Sequence, residues 1–398
     1  MDASMRLSEL FNQIADIGLD PTSGGYRRFA YTREDVQLRE FFVATAKRLG
    51  LSLSVDAAHN QWAWWGDPDR NRSENLVLGS HLDSVPSGGA YDGPLGVLSA
   101  FVAVETLMDE GFHPSAAIGI VNFSDEEGAR FGVACLGSRV LTGETDRARL
   151  AQLRDYDDIP FDRVLAEAGV APVEADDQAL ARIGRFIELH IEQGHQLIAL
   201  DAPVGLASFI WPHGRWSTVI TGTPNHAGTT KLTERDDPLW KASHFILDLA
   251  DLAIARDAIA TCGKVIVEPN AINAVAALVR LWVDARAESA QVLDELAADI
   301  TELAGRFDAG LVNESLTPMT VFDSALTARI GAILGEPPVI STGAGHDAGI
   351  LVNHGVPAAM LFVRNPTGIS HSPEEAATQE DMDAGVQALI AVIRGLAP

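Results

Sequence analysis

Cysteine is nearly missing from this chain. Its two examples in 398 residues, Cys135 and Cys262, are far apart and too few for a disulfide framework or a thiolate metal site, so both read as buried packing in a reducing compartment. Positive charge is scarce too. Lys and Arg number 29 against 55 Asp and Glu, a formal charge of −26, and such a surface repels phosphate backbones and anionic lipid. Neither nucleic acid nor a membrane is expected as a partner. A small acidic substrate is not excluded, because a few arginines and metal ions can reverse the field inside one cleft. Long apolar runs are also absent: hydrophobic residues make up 47% of the sequence, yet none of its stretches approaches the roughly 18 consecutive apolar residues that cross a bilayer. Near the start, Leu7, Leu10, Phe11, Ile14 and Ile17 recur at helical spacing among Glu9 and Asp16, without the basic lead of a signal peptide. That pattern predicts an ordinary first helix in a cytoplasmic protein.

What is present is an alternation of compact apolar runs with helical segments. The length exceeds what one core usually holds, so two domains are expected, one of them inserted into the other. Residues 51–55, 61–65, 75–79 and 116–123 read as strands and 94–108 as a helix, which indicates an α/β domain with a largely parallel sheet. The stretch 186–192 (FIELHIE) reads as a further strand, with Glu188, His190 and Glu192 on its polar side. From Trp211 to about residue 325 the character changes to a βαββα unit, with strands at 216–221, 264–268 and 275–284 and helices at 237–256 and 289–306. The chain then returns to α/β character, with strands at 338–342 and 357–363 and a last helix at 379–394.

Open α/β sheets bind ligands beyond the carboxyl ends of their strands, and the polar clusters fall mostly there. His81 and Asp83 close one strand, Asp92 lies in the glycine-rich loop that follows, Glu126 and Glu127 close another, His190 sits within a third, and His371 follows the last. A lone histidine is more often a satisfied core or surface side chain than a ligand, but this set offers nitrogen and oxygen donors without thiolates, which suits Zn, Mn, Co or Ni. Adjacent carboxylates such as Glu126 and Glu127, if buried, call for a cation or a raised pKa; an exposed acidic turn is the plainer alternative.

The motifs GSHLDSVPSGGAYDGPLGV (79–97), SDEEGARFG (124–132), ELHIEQG (188–194), NHAGTT (225–230), PNAIN (269–273), GAGHDA (343–348) and GISHSPEE (368–375) follow one another along most of the chain. In that order they resemble the amidase branch of the M20 metallopeptidase-like family, which holds N-carbamoyl-L-amino-acid hydrolases, allantoate amidohydrolases and β-ureidopropionases. The resemblance implies an α/β di-metal catalytic domain with a mostly parallel central sheet (1–210 and 326–398) and an inserted α+β lid and dimerisation domain (211–325). It implies two divalent ions per subunit, one held by His81, Asp92 and His190, the other by Asp92, Glu127 and His371. Asp83 would accept the second N–H of His81 and fix its tautomer, and Glu126 would be the general base that activates the attacking water and protonates the leaving nitrogen. His226 would reach the partner subunit's site as a donor to the developing oxyanion. Asn273 and Arg286 would hold the substrate carboxylate, Arg286 having a surface ion pair as its other reading. Gln193, Gly343 and Gly345 would face the ureido group, with Glu192, Arg215 and His346 as further pocket residues.

The resemblance thus implies a homodimeric amidohydrolase acting on a small ureido or carbamoyl acid. An N-carbamoyl-L-amino acid is the first expectation, allantoate the second, and simple deacylation or dipeptide cleavage the third. An inactive metal-binding protein is the reading from a different class, and the presence of Glu126 with all five ligand residues argues against it. Lys231-Leu232, Ala274-Val275-Ala276 and Pro212-His213-Gly214 depart from the expected pattern and touch substrate choice more than chemistry.

Overall fold

The computed structural model describes residues 2–397, which fall into two compact units: the chain up to Ser208 joined with the chain from Val321 on, and Phe209–Thr320 between them. The first unit contains β1 (Ser52–Val55), β2 (Gln61–Trp65), β3 (Leu76–His81), β4 (Ile118–Phe123), β5 (Arg185–Ile191) and β6 (Val204–Ile210). The second contains β7 (His213–Thr221), β8 (Asn225–His226), β9 (Ile259–Glu268), β10 (Ala274–Val275), β11 (Leu278–Arg286) and β12 (Leu311–Thr317), after which β13 (Thr320–Val321), β14 (Val339–Thr342) and β15 (Ala358–Val363) follow. β6 and β13 are neighbours in one sheet, so the chain leaves the first unit and re-enters it on adjacent strands. The second unit spans 209–320, against an expected 211–325.

The nine-stranded sheet runs β1-β2-β4-β3-β5-β15-β6-β13, with β14 paired to β6. Its four central strands, β4, β3, β5 and β15, are parallel, and β2 and β6 flank them antiparallel. β3, β4 and β15 are buried at every position, as expected of parallel strands covered on both faces. The helix Pro94–Asp109 is apolar nearly all round and buries twelve of its sixteen residues, the mark of a central helix rather than a surface one. It opens on Gly93 and Pro94, a residue with φ of +82° followed by one whose fixed φ suits the first helical position. Its core is shared with the last helix, Gln379–Leu396, which Thr378 caps by accepting the Asp381 N–H. Among the described residues no helix is long and apolar enough to cross a membrane.

In the second unit the strands order as β12-β7-β11-β9, all antiparallel, and the helices Pro238–Ala255 and Ala290–Gly305 share a core with them built from Trp216, Ile220, Phe245, Leu249, Leu281, Leu296 and Ile300. The predicted βαββα unit is corrected here. A fourth strand, β12, was not anticipated, because its Asn313-Glu314-Ser315 centre is exposed and lacks the apolar alternation that marks a half-buried strand. The short β8–β10 pair and the helix Arg33–Arg48 were also missed. In the helix only Leu38, Phe42, Thr45 and Ala46 turn inward among charged residues, too narrow a stripe to signal a helix.

Gly79 holds the central strands together at close range: its φ is +144°, and a Cβ there would lie 2.1 Å from the Val121 carbonyl oxygen. Gly79→Ala is expected to lower the unfolding free energy by about 3 kcal/mol or more, read from denaturant unfolding. An unchanged midpoint would mean that β3 and β4 can part without loss.

Candidate metal centre

The polar residues that follow the parallel strands converge at one end of the sheet. His81 is the last residue of β3, Glu126 and Glu127 lie in the turn after β4, His190 is the penultimate residue of β5, and His371 sits in the segment between β15 and the last helix. Asp92 arrives from the loop after β3. That loop passes so close over the His81 ring that a Cβ on Gly93 would fall 2.4 Å from its Cε1, so glycine is required there.

Asp92 is the common neighbour. Its Oδ1 lies 3.2 Å from His190 Nε2 and 3.5 Å from His81 Nε2, and its Oδ2 lies 3.6 Å from His371 Nε2. His371 Nε2 is in turn 3.4 Å from Glu127 Oε2. Each buried ring has its Nδ1 against a backbone carbonyl, His81 against Asp83 at 3.1 Å and His190 against Ile191 at 2.9 Å. A carbonyl can only accept, so Nδ1 carries the hydrogen and a neutral ring keeps its lone pair at Nε2. Those two Nε2 atoms are buried without a hydrogen-bond partner among the described residues. Lone pairs and a carboxylate facing one another out of water call for a cation, and the donor set of imidazole and carboxylate suits a divalent metal. Two three-residue groups share Asp92: His81, Asp92 and His190 are all buried, whereas Asp92, Glu127 and His371 include an exposed histidine, so the second group is the one open to solvent. A third grouping, Glu188 with His190 and His346, is also compact. Glu188 there is already engaged, accepting from Ser80 Oγ at 2.8 Å and Ala348 N at 3.0 Å.

The electrostatics fit a cation site. Burial opposes charge on His190, yet the Asp92 carboxylate beside it lifts the ring to about 9. Burial likewise works against Asp92 and is outweighed by His190 and His81, which hold it well below the usual carboxylate range. Protons and metal ions therefore compete for the same nitrogens. Burial pushes Glu126 up to about 7, and burial together with Asp92 pushes Glu127 well above the ordinary range.

Several expectations are corrected in detail. The carboxylate of Asp83 does not make the shorter bond to His81, since Oδ1 is 3.5 Å from Nδ1 and the carbonyl is nearer. It accepts instead from the backbone N–H of Glu126 at 3.1 Å and of Glu127 at 3.0 Å, so it shapes the acidic turn. Gln193 donates to Asp92 Oδ2 at 2.9 Å, and its own side-chain oxygen is buried without a hydrogen-bond partner among the described residues. Glu192 is no pocket group: both of its oxygens accept backbone N–H bonds, from Gln196 at 2.7 Å and Leu197 at 3.0 Å. His346 is buried with its ring centroid 4.6 Å from that of His190, and burial keeps it neutral. Gly343 and Gly345 lie in the loop after β14, and a Cβ on Gly345 would meet nothing within 4 Å, which leaves room beside that backbone.

In the second unit the candidate residues form two pairs. His226 and Asn273 meet at one end of β7 and β11, where β8 pairs with β10 and Ala227 N donates to the Asn273 carbonyl at 3.0 Å. Arg215 and Arg286 lie at the other end of the same strands, each donating to Asp284, at 3.1 and 2.7 Å. The ion-pair reading of Arg286 is thus realised within the unit.

Sequence reasoning overlooked Glu375, whose Oε1 accepts the Tyr91 N–H at 2.8 Å and the Asp92 N–H at 3.0 Å, while Oε2 accepts from Ser370 Oγ. The signal was at hand, because Glu375 closes the GISHSPEE motif that carries His371. Cys135 was assigned to packing alone, yet its thiol donates to Glu126 Oε1 at 3.1 Å.

The chain is similar to known proteins along nearly its whole length. The sequence model of a family described as Peptidase family M20/M25/M40 matches residues 77–395. The chain is 32% identical to an N-carbamoyl-L-amino acid amidohydrolase of Geobacillus stearothermophilus, with 98% of each chain covered. It is 30% identical to an allantoate amidohydrolase of Bacillus subtilis over 94% of this chain and 93% of that one. A crystal structure of an amidase of the hydantoinase/carbamoylase family from Burkholderia vietnamiensis matches it with a TM-score of 0.88 at 29% identity, covering 99% and 98% of the two chains.

Because Glu375 fixes the backbone that carries Asp92, Glu375→Ala is expected to weaken divalent-metal affinity by about ten- to a hundredfold. Competition with a chelating dye measures this. Wild-type affinity in the variant would mean that the loop holds Asp92 without it.

Proposed function

The chain belongs to the M20/M25/M40 peptidase family, whose members are metal-dependent hydrolases, and from that premise we propose that it hydrolyses N-carbamoyl-L-amino acids to the amino acid, carbon dioxide and ammonia. The observation that carries the proposal is the pair of donor groups sharing Asp92, set beside the buried carboxylate of Glu126. His81, Asp92 and His190 would hold one divalent ion and Asp92, Glu127 and His371 a second, drawn from Zn, Mn, Co or Ni. Bound there, such ions supply Lewis acidity toward the ureido carbonyl and make a water acidic enough to attack near neutral pH.

The chain's own residues do the rest. Glu126 Oε2, 3.6 Å from His81 Nε2, faces the cluster and takes the proton of the attacking water, then delivers it to the leaving nitrogen as the C–N bond breaks. Asp83 grips the N–H groups of Glu126 and Glu127 and so keeps base and ligand in register. Arg286 binds the substrate carboxylate with an Asn273 that, lying beside His226, would come from the second copy; Arg215, Gln193, Gly343 and Gly345 shape the pocket, and His226 donates to the oxyanion.

The layout of the second unit supports a homodimer. From Arg215 to Thr221 β7 extends seven residues, roughly 20 Å at about 3.3 Å each. A small ureido acid cannot touch Arg286 and His226 of one subunit at once, which supports His226 serving a second copy. The two unpaired cysteines support a reducing, cytoplasmic setting. The Bacillus subtilis relative favours allantoate as the second substrate reading.

Metal-loaded protein should release ammonia from N-carbamoyl-L-amino acids, and Glu126→Gln should lower kcat by about 10²- to 10⁴-fold with metal content retained. Release from allantoate alone would select the second reading, and silence on both would reject the ureido substrate class. Mixing His226→Ala with Arg286→Ala protein should restore about a quarter of wild-type sites. A mixture as inactive as its components would contradict the shared site.

A further inference from the structure

The two carboxylate oxygens of Glu126 have unlike neighbours. Oε2 faces His81 and the metal-binding cluster, whereas Oε1 points the other way and accepts the Cys135 thiol at 3.1 Å. Cys135 is 2% exposed, so water does not compete for that bond. Its backbone is tied to the same turn. The N–H groups of Cys135, Leu136 and Gly137 donate in succession to the carbonyls of Glu126, Asp125 and Ser124, at 2.5, 3.0 and 2.8 Å. Behind it, Ser138 Oγ donates to the Cys135 carbonyl at 3.2 Å and also to Asp347, which fastens the start of the helix Leu136–Leu141 to the GAGHDA segment.

Cys135 adopts φ of +56°, the left-handed region where glycine and asparagine are the inexpensive residues. The backbone hydrogen bonds of the acidic turn hold it in that conformation. We propose that Cys135 is the positioning residue of the catalytic base: its S–H, bonded to Oε1, locks the Glu126 carboxylate so that Oε2 alone is presented to the cluster. The proposal rests on the reading of Glu126 as base. The chemistry suits the task. A thiol is a weak donor, so it orients the carboxylate without greatly reducing its basicity.

Without the thiol the carboxylate can rotate, and the time it spends in the productive orientation falls while substrate and metal binding do not. Cys135→Ala is therefore expected to lower kcat about tenfold, one hydrogen bond's worth of orientation, with KM and metal content unchanged. Cys135→Ser, which restores a donor, should recover kcat to within about threefold of wild type. Glu126→Gln measured alongside separates the two ideas. If Glu126→Gln is inactive while Cys135→Ala turns over like wild type, the positioning role falls and the base stands; if Glu126→Gln turns over like wild type, the base reading itself falls. A spectroscopic test does not depend on turnover or on the alanine variant folding. In Cys262→Ser protein the only S–H stretching band belongs to Cys135, and it should sit below the frequency of an unbonded thiol and rise in Glu126→Gln, whose amide oxygen is a poorer acceptor. A band at the unbonded frequency, unmoved by that substitution, would overturn the proposal.

Discussion

Asp92 lies between two imidazole nitrogens whose lone pairs point at it, and a third histidine faces its other oxygen. Buried at 6% exposure, such a carboxylate is stable only if positive charge sits among these donors. Much of the first unit can be traced to meeting that condition. The N–H of Asp92 itself is fixed by Glu375, which comes from the far end of the sequence. Ser370 and Gln193 both donate to its Oδ2, and Gly93 lets its loop close over the His81 ring. These contacts tie the ends of β3 and β5 and the last long loop to one carboxylate, and each presupposes that Asp92 keeps its place.

The parallel sheet makes the convergence geometrically cheap. Four parallel strands deliver their carboxyl ends to one edge, and burial on both faces leaves those ends as the one place where polar side chains can cluster without disturbing the core. The acidic turn after β4 then has to hold like charges side by side. Asp83 does this with hydrogen bonds from two backbone N–H groups, and Cys135 adds a third restraint on Glu126. Glu126 and Glu127 are adjacent in sequence and share the Asp83 anchor, and Cys135 restrains Glu126 alone.

How far this could be read from the chain alone depended on the range of each interaction. β3 and β4 were legible as apolar runs ending in polar residues, β5 as an alternation of apolar and polar residues, and the residues that meet at Asp92 because they stand in motifs. The roles of Glu375 and Ser370 were not, although both stand in the motif that carries His371, since their partner is more than two hundred residues away. Cys135 looked like filler because its apolar neighbours are local and its one polar contact depends on a left-handed backbone that the sequence does not announce. Asp83 meets the His81 ring Nδ1 with its carbonyl at 3.1 Å and its carboxylate at 3.5 Å, because a two-residue spacing lets either approach. In the second unit β12 escaped notice for a different reason: an exposed, polar strand carries no hydrophobic period.

The central claim is that this donor cluster holds two divalent ions on either side of Asp92. An anomalous-difference map from zinc-loaded crystals, collected above the zinc absorption edge, tests it most directly. The account predicts two peaks that share the Asp92 carboxylate, one completed by His81 and His190 and the other by Glu127 and His371. A single peak among Glu188, His190 and His346, or no peak at Asp92, would contradict it.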